Sequence, residues 1–281
     1  MARTARTDFE VWGSPVEHSL SPALHRAAYD VLGLPWTYGY REVSEETISS
    51  TWADVGAALG GVSLTMPLKE RVLDIVASRD SLVDTLHAAN TVYRSGETLA
   101  LSNTDPFGVE KALDRFEIQA ETAWILGAGA TARSVGYALW KRGTQEVVMC
   151  VRDVERAQRT AESLSACGLS TQVHHFSELD HVTPPTLVAS TLPGSRDGMP
   201  ALPAQVIESA ALFDVAYSPW PSHYATAWKD SPRPVVSGLW MLAYQALAQI
   251  RLFVSADADL PLPKEDAVLA AMLAAVGLTP E

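Results

Sequence analysis

The chain has 281 residues, 47% of them hydrophobic, enough to bury one large core or two modest ones. Lys and Arg total 21 against 33 Asp and Glu, a net charge of −12, which argues against nucleic acid or an anionic membrane as the main partner. The two cysteines, Cys150 and Cys167, make no disulfide framework, and the opening MARTARTDFE has no apolar leader core, so a cytoplasmic protein is expected.

Residues 9–12 read as a short strand. Ser21 and Pro22 then open a helix, with serine at the N-cap, proline at N1, an apolar face of Leu24, Ala28 and Val31, and Gly33 as the stop. Trp36, Tyr38 and Tyr40 alternate as a second strand, and a helix is expected around residues 45–58. In GVSLTMPLK, Val62, Leu64 and Met66 alternate as a strand that breaks at Pro67, and Leu68, Val72 and Ile75 start a helical pattern. Lys69 stands at that junction. Residues 91–94 and 98–102 flank Ser95-Gly96, a hairpin signal, so this half reads as α/β with mixed pairing.

From about residue 106 strands and helices alternate regularly. Residues 124–126 form a strand, 130–142 a helix closed by Gly143, 147–151 a strand and 153–166 a helix closed by Gly168. The later apolar runs TLVAST, ALFDVAY and PVVSG fit buried parallel strands, the pattern of a doubly wound sheet. The uncharged stretch 234–250 contains Ser237, Tyr244, Gln245 and Gln249, and reads as a strand plus a buried helix, not a membrane span. Helices over about 238–254 and 264–276 end the chain. The expected division is 1–105, 106–236 and 237–281.

ILGAGATARSVG places the loop Gly127, Ala128, Gly129, Ala130, Thr131, Ala132 directly after a strand and at the start of a helix. The first glycine allows a tight turn, the second lets backbone approach a pyrophosphate, and Ala132 keeps helix and strand close. The bland alternative is a Gly-rich turn in an α/β domain that binds nothing. At the end of the next strand an acid would favour NAD, whereas arginines would meet the 2′-phosphate of NADP. Arg152 and Arg156, one turn apart, favour NADP; Asp153 between them is either a helix cap or a repulsive neighbour.

His18-Ser19-Leu20-Ser21-Pro22, Thr65-Met66-Pro67-Leu68-Lys69, Ala89-Asn90-Thr91 and Asn103-Thr104-Asp105 occur in that order ahead of the glycine loop. In this series the chain resembles the shikimate dehydrogenase family over essentially its whole length. The resemblance implies an N-terminal α/β substrate-binding domain, a Rossmann-type domain and C-terminal helices returning to the first domain. It implies reduction of 3-dehydroshikimate to shikimate with NADPH in aromatic biosynthesis, on a small cyclic carboxylate, by a monomer or homodimer with no metal. Carried over, Ser19 and Ser21 would bind the substrate carboxylate, and Asn90, Thr65, Lys69 and Asp105 the ring hydroxyls. Tyr217 and Gln245 match further substrate positions, and Val215 and Gly238 nicotinamide-side positions.

Hydride transfer to a ketone builds negative charge on oxygen, which a positioned ammonium can stabilise and protonate. Lys69, oriented by Asp105, is the expected acid and base. His25, His174, His175 and His223 have no ligand spacing and read as structural or surface residues. Arg26, Ser63, Leu101, Pro106, Val151 and Asp153 depart from frequent family residues. They leave room for quinate or another cyclic acid, for NAD use, or for a non-catalytic NADP-binding relative.

Overall fold

The computed structural model describes residues 6–193 and 199–279, so the first half of the opening stretch read for a leader lies outside the described residues. The chain separates into two compact units, Met1–Thr104 with Gln245–Glu281, and Asp105–Tyr244. Among the described residues no helix is long and apolar enough to cross a membrane.

The first unit begins β1 (Asp8–Gly13), α1 (Ser21–Leu32), β2 (Thr37–Glu42), α2 (Ile48–Thr51), β3 (Gly61–Leu64), α3 (Leu68–Arg71), α4 (Ser81–Leu86), β4 (Thr91–Ser95) and β5 (Thr98–Ser102). The strands lie in the order β2-β1-β3-β4-β5. β1 pairs parallel with β2 and β3, while β3–β4 and β4–β5 are antiparallel, which is the mixed pairing expected. Trp12, Leu64, Leu68, Val72, Val92 and Leu101 form its core.

Four local features differ from expectation. Leu20, not Ser21, is the N-cap of α1, because the Ser19 hydroxyl already accepts the Ser21 N–H at 3.3 Å. Gly33 does end that helix in the left-handed region. The helix expected over 45–58 is only α2 followed by a widened π-helical turn, Trp52–Gly56, which sets the Trp52 ring edge-on to Trp12. The apolar alternation of 61–66 does not hold: all four β3 residues are buried, because β3 lies between β1 and β4, and Met66 is 63% exposed. The helical pattern after Pro67 also shortens, to one turn of α3 and a 3₁₀ turn at Val72–Asp74.

The second unit runs α5 (Asp105–Arg115), β6 (Thr122–Leu126), α6 (Ala130–Lys141), β7 (Glu146–Val151), α7 (Val154–Ala166), β8 (Ser170–His175), β9 (Leu187–Ser190), α8 (Ala204–Ser209), β10 (Ala211–Asp214), α9 (His223–Ala227) and β11 (Val235–Ser237). Its strands are all parallel, ordered β11-β10-β9-β6-β7-β8. The chain winds outward from β6 to β8 and then crosses to β9 on the other side of β6. This is the switch point at which doubly wound sheets bind ligands. β8 has no counterpart among the expected strands: Ser170–His175 is a half-exposed edge strand without an apolar run.

Helices α10 (Gly238–Ser255) and α11 (Glu265–Ala275) complete the chain. In the first unit α11 packs on α1, and Arg251 of α10 holds Glu265 of α11 through two hydrogen bonds, at 2.8 and 2.5 Å.

Candidate active site

In the first unit, Ser19 is half-buried in the loop before α1, and Ser21 is buried on its first turn. Thr65 is half-buried just past β3, with its N–H on the Trp12 carbonyl at 2.9 Å. Lys69 is half-buried on α3. The fully buried Leu68 anchors that turn, and the Lys69 carbonyl accepts the Ala89 N–H at 2.8 Å. That bond ties the lysine's backbone to the segment that leads into Asn90.

Asn90 is 1% exposed and sits in a directional network. Its Nδ2 donates to Thr104 Oγ1 at 2.9 Å and to Gln245 Oε1 at 3.1 Å. Its Oδ1 accepts the Thr104 N–H at 2.9 Å and the Thr91 hydroxyl at 2.7 Å. Gln245, also buried, stands on α10 and receives the Thr104 hydroxyl at its carbonyl, 3.0 Å away. Two predicted site residues 155 positions apart are thus joined directly. Thr104, which carries no assigned role in the sequence reading, links them.

One turn along α10, Gln249 is 1% exposed, and in the sequence it is only a polar residue in an uncharged helix. Its Nε2 donates to the Asn90 carbonyl and the Thr91 hydroxyl, both at 3.0 Å, and its Oε1 accepts from Ser63 at 2.9 Å. Tyr38 donates to Ser63 at 2.6 Å. His25 lies 3.3 Å from both Gln249 Oε1 and Tyr29 Oη, and stacks on Tyr38 at 3.9 Å. Burial holds His25 down to a pKa of about 3, against a weaker opposing push from Gln249, so the ring is neutral. The i, i+4 spacing of Gln245 and Gln249 is the only sequence signal for this arrangement.

In the second unit, Asp105 is 3% exposed as the first residue of α5. Gly127 follows β6 at φ 107°, where a Cβ would meet Thr191 Oγ1 at 2.6 Å, so only glycine fits. Gly129 is the N-cap of α6, with nothing within 4 Å of a built Cβ, and Ala130, Thr131 and the buried Ala132 form the first turn. Thr191 donates to the Leu126 carbonyl and Thr160 of α7 to the Ala128 carbonyl, each at 2.8 Å. An open cradle at a helix N-terminus fits a pyrophosphate.

Arg152 and Arg156 are exposed beyond β7. Asp153 caps α7, its carboxylate accepting the Arg156 N–H at 2.9 Å, so it faces its own helix. Val215 and Gly238 meet: a Cβ on Gly238 would lie 1.9 Å from the Val215 carbonyl oxygen. Tyr217 is half-buried in the loop after β10, and burial pushes its phenol up from the usual value. Asp214, unremarked in the sequence, pins that loop by accepting from Ala216 N at 3.1 Å and Ser222 Oγ at 2.5 Å.

The family model for the shikimate dehydrogenase substrate binding domain matches residues 11–92, and that for shikimate / quinate 5-dehydrogenase residues 110–216. The shikimate dehydrogenase (NADP(+)) of Natronomonas pharaonis is 33% identical over 86% of this chain and 90% of its own length. That of Methanothrix thermoacetophila is 32% identical over 96% and 97%. Among solved structures, Mycobacterium tuberculosis shikimate dehydrogenase superposes with a TM-score of 0.82 at 32% identity, covering 95% of this chain and 99% of its own. The Thermus thermophilus shikimate 5-dehydrogenase, solved in complex with NADP(H) and shikimate, gives 0.80 at 30% identity with the same coverage. With both halves matched and relatives aligned almost end to end, the chain belongs to the shikimate dehydrogenase family.

Proposed function

We infer that this protein is an NADP-dependent shikimate dehydrogenase, reversibly reducing 3-dehydroshikimate to shikimate. The observation that carries the reading is the junction of Asn90, Thr104 and Gln245 in one buried network, with the Lys69 backbone bonded to the adjoining residue Ala89. The loop Gly127–Ala132 fits the cofactor's pyrophosphate, Arg152 and Arg156 its 2′-phosphate, and Val215 with Gly238 the nicotinamide side.

NADPH, when bound, supplies the hydride taken up by the substrate's ketone carbon. Negative charge then develops on the carbonyl oxygen, where the Lys69 ammonium stabilises it and delivers a proton from Nζ. In the oxidative direction Lys69 takes that proton back. Asp105 orients the ammonium, and Asn90, Thr65, Tyr217 and Gln245 hold the ring's polar groups. Ser19 and Ser21 bind the carboxylate, using neutral hydroxyl donors in a chain of net charge −12. The reading extends to a cytoplasmic enzyme acting on a small molecule, with neither nucleic acid nor membrane as partner.

The test follows reduced-nicotinamide absorbance with shikimate and with quinate, each offered with NADP and with NAD. Turnover is expected with shikimate and NADP. Preference for quinate or NAD, or no turnover in any combination, would overturn the assignment.

A further inference from the structure

Gln249 uses its whole amide. Two N–H groups go to the Asn90 carbonyl and the Thr91 hydroxyl, and Oε1 takes the Ser63 hydroxyl and faces the His25 ring. The polarity is forced at both ends. A backbone carbonyl only accepts, so Nε2 must face Asn90. Ser63 already receives the Tyr38 proton, so its own proton goes to Oε1. The neutral His25 ring then carries its proton on Nε2 and accepts from Tyr29 on Nδ1.

With its oxygen lone pair turned to Gln249, the Thr91 hydroxyl can spend its proton only on Asn90 Oδ1. The Thr104 N–H lands on the same oxygen, and together the two donors point Asn90 Nδ2 at Thr104 and Gln245. Every bond in the series has one permitted direction. Gln249 therefore holds residues 90 and 91 through a backbone carbonyl and a hydroxyl, and that hydroxyl is one of the two donors, with the Thr104 N–H, that set which way the Asn90 carboxamide faces.

We propose that Gln249 is a positioning residue for substrate binding, clamping residues 90 and 91 to α10 so that the Asn90 amide, its oxygen held by the Thr91 hydroxyl and the Thr104 N–H, is kept in place; this rests on the reading that Asn90 contacts the cyclic substrate. Removing the clamp frees the Thr91 hydroxyl to rotate and residues 90 and 91 to shift on α10, which displaces the Asn90 amide. Ground-state and transition-state binding both lose by this, so KM for shikimate rises more than kcat falls.

The experiment measures KM for shikimate, KM for NADP and kcat in the full-length enzyme and in Gln249→Leu, Thr91→Val, their combination, and Asn90→Ala. Gln249→Leu is expected to raise KM for shikimate by at least about fivefold, the scale of one lost buried hydrogen bond, with KM for NADP within about twofold of wild type. Thr91→Val keeps the side-chain volume and cuts only the relay, so it carries the test if Gln249→Leu does not fold. It should reproduce the rise, and the double variant should add little to either single one. If Asn90→Ala raises KM for shikimate but Thr91→Val and Gln249→Leu do not, the clamp is structural and the inference fails alone. If Asn90→Ala leaves that KM unchanged, Asn90 is no substrate contact and the reading beneath the inference falls with it. Parallel rises in both KM values with a lower melting temperature would also overturn it, as global loosening.

Discussion

The two units hold their functional groups by opposite means. In the first, side chains from positions 25, 38, 63, 90, 91, 104, 245 and 249 meet in one buried hydrogen-bond network that joins groups distant in sequence. In the second, the local stretch Gly127–Ala132 leads from the end of β6 into the first turn of α6, a helix N-terminus, and two hydroxyls, Thr160 and Thr191, hold the Ala128 and Leu126 carbonyls. A network of side chains can discriminate one polyhydroxylated ring from another, because each buried polar group left unpaired by the wrong ligand costs about 1–3 kcal/mol. A backbone cradle recognises what all dinucleotides share, and in the proposed reading selectivity is added at its rim by Arg152 and Arg156.

The largest expected effect tests the network as a whole, through pH. His25 titrates at about 3 in the folded chain against an ordinary 6.5, because burial disfavours its charge. The groups facing it are the Tyr29 and Tyr38 phenols, both raised by burial and so protonated, and the Gln249 amide. Below about 6.5 the unfolded chain takes up a proton that the folded chain refuses until about 3. Stability should therefore fall as pH drops across that window, by about 1.4 kcal/mol per unit, and this contribution is fully present above it. Urea midpoints followed by tryptophan fluorescence at descending pH check this. His25→Gln should flatten the slope, and an unchanged slope would mean other groups set the acid sensitivity.

Next comes the chemistry. Lys69→Ala should lower kcat by at least ~10²-fold while leaving KM for NADP and the melting temperature close to wild type. A near-normal kcat would reduce Lys69 to a half-buried charge on a single helical turn. Arg152→Ala is a smaller change at the other unit's rim. It should weaken NADP by at least about tenfold and barely alter NAD, since a charge-assisted hydrogen bond contributes roughly 1.5–3 kcal/mol. Equal loss of both cofactors would show that the arginine does not read the 2′-phosphate.

This contrast also explains what can be read from the sequence. The cofactor cradle is legible because its requirements are local: a left-handed Gly127, an unobstructed Gly129, and a helix start in six residues. The succession of parallel strands follows from apolar runs, except β8, whose edge position removes the burial that makes such runs. The proposed substrate positions can be read only through resemblance, because Asn90 and Gln245 lie far apart and neither has a distinguishing local pattern. His25 is readable as a structural residue, but its partners are not: a glutamine in an apolar helix, Gln249, and a serine in a strand, Ser63, have ordinary roles until the fold brings them to hydrogen-bonding distance. The departures at 45–58 and 61–66 have a similar origin. Trp52 widens its own helix to reach Trp12, and Met66 follows a period that ends where Pro67 turns the chain.

The smallest expected effect sharpens the comparison most. If the cradle is held by backbone geometry, the hydroxyl behind it should matter little; if it also depends on a side-chain clip, the two units differ less than they look. Thr160 is 2% exposed and donates to the Ala128 carbonyl at 2.8 Å, which turns that carbonyl toward α7. Thr160→Val keeps the shape and removes the donor. The Ala128 residue is only half-buried, so water can take over part of the bond and the full cost of an orphaned carbonyl is not expected. A net loss of roughly 0.5–1 kcal/mol corresponds to a rise of about two- to fivefold in KM for NADP and NAD alike, because the pyrophosphate is common to both. KM for shikimate and kcat should not move. Steady-state kinetics with both cofactors decide the matter: no change in either would leave glycine geometry as sufficient, and a change confined to NADP would tie Thr160 to the Arg152 rim and not to the loop.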